Sequence, residues 1–264
     1  MYGFWYSVKE HYSFSSQELK ELFFTSLAFA FMLTSYYEGL FQVSNDVHLV
    51  LSDKILFFFI LSLLVVFIAM YFHIALQKLV GIKLGYNVKY QYWLNGIMLG
   101  LFLSVMTLGK IPLFSILILP GAVTLEHIPK LRLGKFRYGT NAKDIARVSL
   151  AGPLSHVVII TILGILFFNT DKNPTVLHLI TANLLLMIYS MLPVPKLDLP
   201  TKIDSASDGL GLFFYSRGVY VLCAATFLIY AVLIWTASLF SFILAFILAF
   251  VATTVYSIAV KQPT

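Results

Sequence analysis

Residues 55–80 are apolar except for Ser62, His73, Gln77 and Lys78. A helix needs about 20 such residues to cross the hydrocarbon of a bilayer, so this run is long enough to span it. Further apolar blocks cover residues 22–37, 94–120, 148–168, 175–192, 218–237 and 239–259. Composition agrees: 59% of the 264 residues are hydrophobic and 11% charged, against about 25% charged in a soluble domain. The 24 phenylalanines and 15 tyrosines suit lipid and its interfaces. A soluble enzyme, a disordered chain and a conventional nucleic-acid binder are excluded, and the expectation is an all-α polytopic membrane protein. The single cysteine, Cys223, lies in an apolar run and leaves no disulfide framework and no cysteine-based zinc knot.

The first 21 residues lack the ordered basic, apolar and small-residue regions of a cleavable signal peptide. Trp5 and Tyr6 are suited to the interface, and Ser15-Ser16-Gln17-Glu18 has the spacing of a capping box at the start of a helix. The block at 94–120 is interrupted by Gly109-Lys110-Ile111-Pro112. Proline breaks a helix and lysine is costly at mid-bilayer, so this block is read as a helix with a broken or re-entrant return. Entry and return on one side put two basic loops together. One carries Lys78, Lys83 and Lys89; the other carries Lys130, Arg132, Lys135, Arg137, Lys143 and Arg147 against Glu126 and Asp144. The net charge of +6 then follows from cytoplasmic loops, with both termini cytoplasmic. Residues 121–147 hold two short strand candidates, GAVTLEHI and LRLGKFRYG, suited to a small cytoplasmic β-hairpin. The division is a terminal or interfacial segment 1–21, a membrane core 22–220, and C-terminal helices with a short tail at 221–264.

Several polar residues need explaining. His73 and Gln77 lie one helical turn apart on one face. A zinc-protease helix would carry histidine at both places, with a glutamate after the first as base for the zinc-bound water. Here Ile74 cannot take a proton and Gln77 is a weak neutral ligand. On spacing alone His73 is a packing residue or a metal or substrate residue. Ala151-Gly152-Pro153-Leu154-Ser155-His156 reads as a helix start, with His156 turned to protein or water. Ser190-Met191-Leu192-Pro193-Val194-Pro195 ends an apolar helix. Asp198 follows, either completing a polar site beside His73 or capping a turn. Asp204 and Asp208 are read as solvated loop residues.

Together these segments resemble the site-2 protease family of intramembrane zinc metalloproteases, most closely its archaeal-type branch. The resemblance runs through FSSQELKELFFTSLAFAFML at 14–33, FHIALQKLVGIKLGY at 72–86, LILPGAVTLE at 117–126, DIARVSLAGPLSH at 144–156 and YSMLPVPKLDLPTKI at 189–203. It covers roughly residues 14–220 in consistent order. It implies a helical membrane bundle with a zinc site near the cytosolic face, cleaving transmembrane segments. In the family's His-Glu-x-x-His, His73 matches the first ligand, Ile74 stands for the catalytic glutamate and Gln77 for the second ligand. In its Leu-Asp-Gly, Leu197-Asp198 match and Leu199 replaces glycine. His156 stands for the asparagine of Gly-Pro-x-x-Asn, and Ser190 for that of Asn-x-x-Pro.

The resemblance therefore implies remnant metal residues at His73 and Asp198, a poor replacement ligand at Gln77, a speculative ligand at His156, and a cleft with Ser190, Pro193 and Pro195. No catalytic residue is assigned and no cofactor is expected at full occupancy. The expected function is a noncatalytic membrane protein that binds or regulates a membrane-protein or transmembrane-peptide partner, with no nucleic acid and an open oligomeric state. The alternatives are an intramembrane zinc protease rewired on His73, Asp198 and His156, and a transporter.

Overall fold

The computed structural model describes residues 4–37, 41–43, 47–49, 53–111, 117, 120–128, 140–195, 207–237 and 240–260. In chain order these form α1 (Phe4–His11), α2 (Ser16–Tyr37), β1 (Phe41–Val43), β2 (Val47–Leu49), α3 (Asp53–Leu84), β3 (Tyr86–Tyr92), α4 (Leu94–Met106), β4 (Gly121–His127), α5 (Ala142–Asn169), α6 (Pro174–Ser190), α7 (Asp208–Tyr215), α8 (Arg217–Ala237) and α9 (Ser241–Val260). Four described helices are long and apolar enough to cross a bilayer: Lys54–Leu84, Ala142–Asn169, Arg217–Trp235 and Ser241–Ile258. The molecule is a polytopic helical membrane bundle with small antiparallel hairpins. α3, at 32 residues, extends roughly 48 Å, well beyond a hydrocarbon core of about 30 Å.

Local chemistry sets the helix starts. The capping box closes as expected: the Glu18 N–H donates to Ser15 Oγ at 3.1 Å, and the Ser15 N–H donates to the Glu18 carboxylate at 2.8 Å. α5 differs from the sequence reading. It begins at Ala142, where Asn141 accepts from the Lys143 N–H, so Pro153 sits inside the helix rather than in its first turn. α7 also differs, because Asp208 starts a helix where a solvated loop was expected.

The interrupted block leaves and returns at one point. α4 is 13 residues long, roughly 20 Å, too short to cross. A turn at Leu108 and Gly109, both with positive φ, places Gly109 against the Ser35 backbone, where a Cβ would collide. The Trp93 N–H donates to the Pro120 carbonyl at 3.2 Å, so the two ends of the excursion meet. Residues 112–116 and 118–119 lie outside the described residues. The return delivers β4 antiparallel to β3, in a register running from Tyr86 opposite His127 to Tyr92 opposite Gly121. The hairpin strand expected at 121–128 thus forms, but its partner is Tyr86–Tyr92; the other strand candidate, at 131–139, lies outside the described residues.

α3 packs against α2, α5, α6 and β3, and α5 against α6 and α7. Two apolar clusters meet on α6, one containing Leu186, Ile74 and Phe29, the other Met187, Ile160 and Tyr230. On its outer edge β3 is closed by α2: the Tyr90 N–H donates to Glu18 at 3.0 Å and the Tyr92 N–H to Glu21 at 3.1 Å. Glu18 also pairs with buried Lys78 at 2.8 Å. Burial works to raise the Glu18 carboxyl, but Lys78 and the N–H groups of Ser15 and Tyr90 outweigh it and hold it below the ordinary carboxylate range.

Lys89 and Glu126 face each other across the hairpin at 2.8 Å. In a Cys223→Ser background, single cysteines at these two positions are expected to react with an impermeant maleimide from the same side of a vesicle. Reaction from opposite sides would contradict the returning excursion.

Candidate functional site

His73 is buried on α3, where it lines a cleft together with β4, and both of its ring nitrogens are engaged. Nε2 lies 2.7 Å from Asp208 Oδ2 and Nδ1 lies 3.1 Å from His156 Nε2. One turn along α3, Gln77 Nε2 donates to Asp208 Oδ1 at 2.8 Å. Beyond His156, its Nδ1 lies 3.2 Å from Asn183 Oδ1. The sequence places α5 close enough for this through Gly152, where a Cβ would overlap the His73 ring and the Gln77 amide. His73, Gln77, His156, Asn183 and Asp208 are all buried.

Hydrogen-bond roles along this relay follow from its far end. Asn183 Nδ2 donates to the Leu179 carbonyl, so Asn183 Oδ1 accepts and His156 Nδ1 donates. A neutral His156 then accepts at Nε2, and His73 Nδ1 donates to it. That leaves the contact between His73 Nε2 and Asp208 Oδ2, which one shared proton closes. Imidazolium with carboxylate and imidazole with carboxylic acid both satisfy it, and both are neutral overall. A neutral pair is the form least costly to bury in a membrane protein.

Zinc, which the resemblance implies, does not fit these residues. At bond lengths of about 2.0–2.2 Å, two ligands of a tetrahedral zinc stand roughly 3.3 Å apart. His73 Nε2 and Asp208 Oδ2, at 2.7 Å, are instead at hydrogen-bond distance. The two nitrogens of His73 point to opposite edges of its ring, so Asp208 and His156 cannot converge with it on one ion. Gln77 brings its amide nitrogen, not an acceptor, toward the carboxylate. Among the described residues no group of three or more His, Cys, Asp or Glu side chains is arranged to hold a metal ion.

A narrow cleft runs beside this relay, lined by His73, Gln77, His156, Ser190 and Asp208 on the helix side and by Gly121, Ala122 and Val123 of β4. Its inner part has room for about one water. The Ser190 hydroxyl is turned to the Met187 carbonyl. Pro193 is half-buried and Pro195 exposed where the chain leaves α6, and Asp198 and Asp204 lie outside the described residues. Ile74 is fully buried with Met70, Leu186 and Phe29, in apolar packing with no carboxylate.

Asp208 corrects the sequence reading. Its polar Gly/Ser surroundings suggested a solvated loop, whereas the carboxylate is the partner of both His73 and Gln77. The signal that was available is Asp-Gly immediately before a short apolar stretch. Asn183, the lone amide within the apolar run of α6, was also missed. No protein-family model matches the chain, and comparisons with curated proteins and with solved structures give no match.

Gly152→Ala is expected to cost about 1–3 kcal/mol of stability, as overpacking does, because it forces α5 away from α3. Gly164→Ala is the control, since its Cβ would meet only the tip of Ile234 at 3.3 Å. Equal denaturation midpoints for the two variants would contradict the close approach at Gly152.

Proposed function

We propose that this chain is a noncatalytic membrane protein on a site-2 protease-like scaffold, and that its cleft binds an extended segment of a membrane-protein partner. The observation that carries the reading is His73, saturated by Asp208 and His156 where a zinc ligand would need a bare nitrogen. Ile74, packed in apolar surroundings, leaves the position of the family's base without a proton acceptor.

Two features support the scaffold. The excursion 93–120 returns beside its starting point. Asp208-Gly209 also supplies the Asp-Gly of the family's late motif, ten residues after Asp198-Leu199. Gly209 is required there, since a Cβ would overlap the Met191 carbonyl. The basic loops and both termini belong on the cytoplasmic side in this reading.

Support for binding comes from the hairpin. Tyr90 and Tyr92 turn their N–H groups away from β4, toward α2. By the antiparallel register, their partners Val123 and Gly121 turn theirs away from β3. Among the described residues no hydrogen bond is made by the outward backbone groups of Val123. This open strand edge borders the cleft, and an added strand is the partner such an edge accepts.

Purified protein is expected to hold substoichiometric zinc and to leave a transmembrane peptide intact in liposomes. It is expected to bind a peptide with a helix-breaking centre, and Val123→Pro, which removes only an outward N–H, should weaken that binding. Zinc-dependent cleavage that disappears in both His73→Ala and Asp208→Ala would overturn the noncatalytic reading.

A further inference from the structure

The relay from Asn183 to Gln77 fixes more than the state of His73. Its shared proton lies between His73 Nε2 and Asp208 Oδ2, so Asp208 Oδ1 has to be an acceptor. Gln77 therefore presents Nε2 to it, and the carboxamide cannot flip without setting two acceptors face to face. Gln77 Oε1 is left as a buried acceptor with no donor, on a side chain 1% exposed. A buried amide oxygen without a partner costs free energy, on the order of 1–3 kcal/mol. Native structures keep such groups rare.

We infer that Gln77 Oε1 is the point at which the cleft receives one backbone N–H of the bound segment. This rests on the reading of the cleft as a peptide site and adds the residue that sets register. Three observations converge on it. Gln77 and Val123 line the same cleft. The Val123 backbone is turned outward on β4. An extended strand paired with that edge turns alternate N–H groups away from β4, and Gln77 lines the cleft such a strand would enter. The donor is a neutral amide rather than a cation, because the His73–Asp208 pair is already neutral overall and leaves no net charge to attract one. Where the resemblance expects a metal ligand, this chain thus carries a fixed hydrogen-bond acceptor.

The test uses a fluorescent transmembrane peptide of about 25 residues, rich in leucine and alanine with a central Gly-Ser-Gly break. It is titrated onto the full-length protein in phosphatidylcholine–phosphatidylglycerol liposomes. A series of the same peptide carries one N-methylated backbone amide at a time through the break. One position is expected to lose binding to wild type roughly fivefold, the worth of one hydrogen bond. The same N-methyl group should cost less than about twofold against Gln77→Met, which keeps the side-chain length and has no amide oxygen. Asp208→Asn removes the acceptor that orients Gln77 and offers an amide donor to its oxygen, so the sensitivity should be lost there as well.

N-methyl positions that weaken binding equally in wild type and Gln77→Met would overturn the assignment and leave Gln77 holding a water only, while the peptide-site reading stands. Full retention of the sensitivity in Asp208→Asn would show that Asp208 does not orient the Gln77 oxygen and would also overturn it. Failure of the unmethylated peptide to bind at all would overturn the cleft reading and this inference together.

Discussion

An imidazole carried into the interior of a membrane protein has to give each of its nitrogens to a partner, because hydrocarbon supplies no water to do so. For His73 that condition is met by Asp208 on one side and His156 on the other. Much of the packing follows from it. α5 must come close enough to deliver His156, which requires the missing side chain at Gly152. α6 must place Asn183 behind His156, with its amide returned to its own helix at Leu179. α7 must begin where it does, so that Asp208 reaches α3. Four helices are thus tied by one line of hydrogen bonds, in a region where apolar contact alone would not select their rotation.

The same economy governs the hairpin. A two-stranded sheet has two edges, and each exposes unpaired backbone groups. α2 covers one with Glu18 and Glu21, whose carboxylates take the Tyr90 and Tyr92 amides. Lys78 neutralises Glu18 from α3, so the sheet, the first long helix and the helix of His73 share one buried ion pair. On β4 the outward backbone of Val123 makes no hydrogen bond among the described residues, and Val123 lines the cleft beside the relay. Closure on one side and access on the other give the cleft its direction.

Much of this was legible in the residues. Apolar length marked the long membrane segments, the Gly-Lys-Ile-Pro interruption marked the excursion, and Ser15 with Glu18 marked the start of α2. His73 and Gln77 were picked out by their one-turn spacing. The remainder was hidden for identifiable reasons. Asp208–Tyr215 is a short helix with glycines at 209 and 211, too brief to establish a period, so Asp208 looked like a loop residue. Tyr86–Tyr92 alternates as a strand does, but Lys89, close to Lys83, also reads as part of a basic loop. Its partner lies across a 28-residue excursion, which local patterning cannot bridge. Pro153 suggested a helix start, because nothing in the sequence announced that the gap it leaves in α5 would be tolerated.

The central claim is that both nitrogens of His73 are hydrogen-bonded and neither is free for a metal. Histidine 15N NMR on ring-labelled protein in bilayers reads this directly, with His73→Ala identifying the resonances. The account predicts that neither ring nitrogen of His73 gives the signal of a bare, unbonded imidazole nitrogen, and that added zinc leaves both resonances in place. A bare nitrogen signal that shifts to a zinc-coordinated position as the metal is added would contradict it.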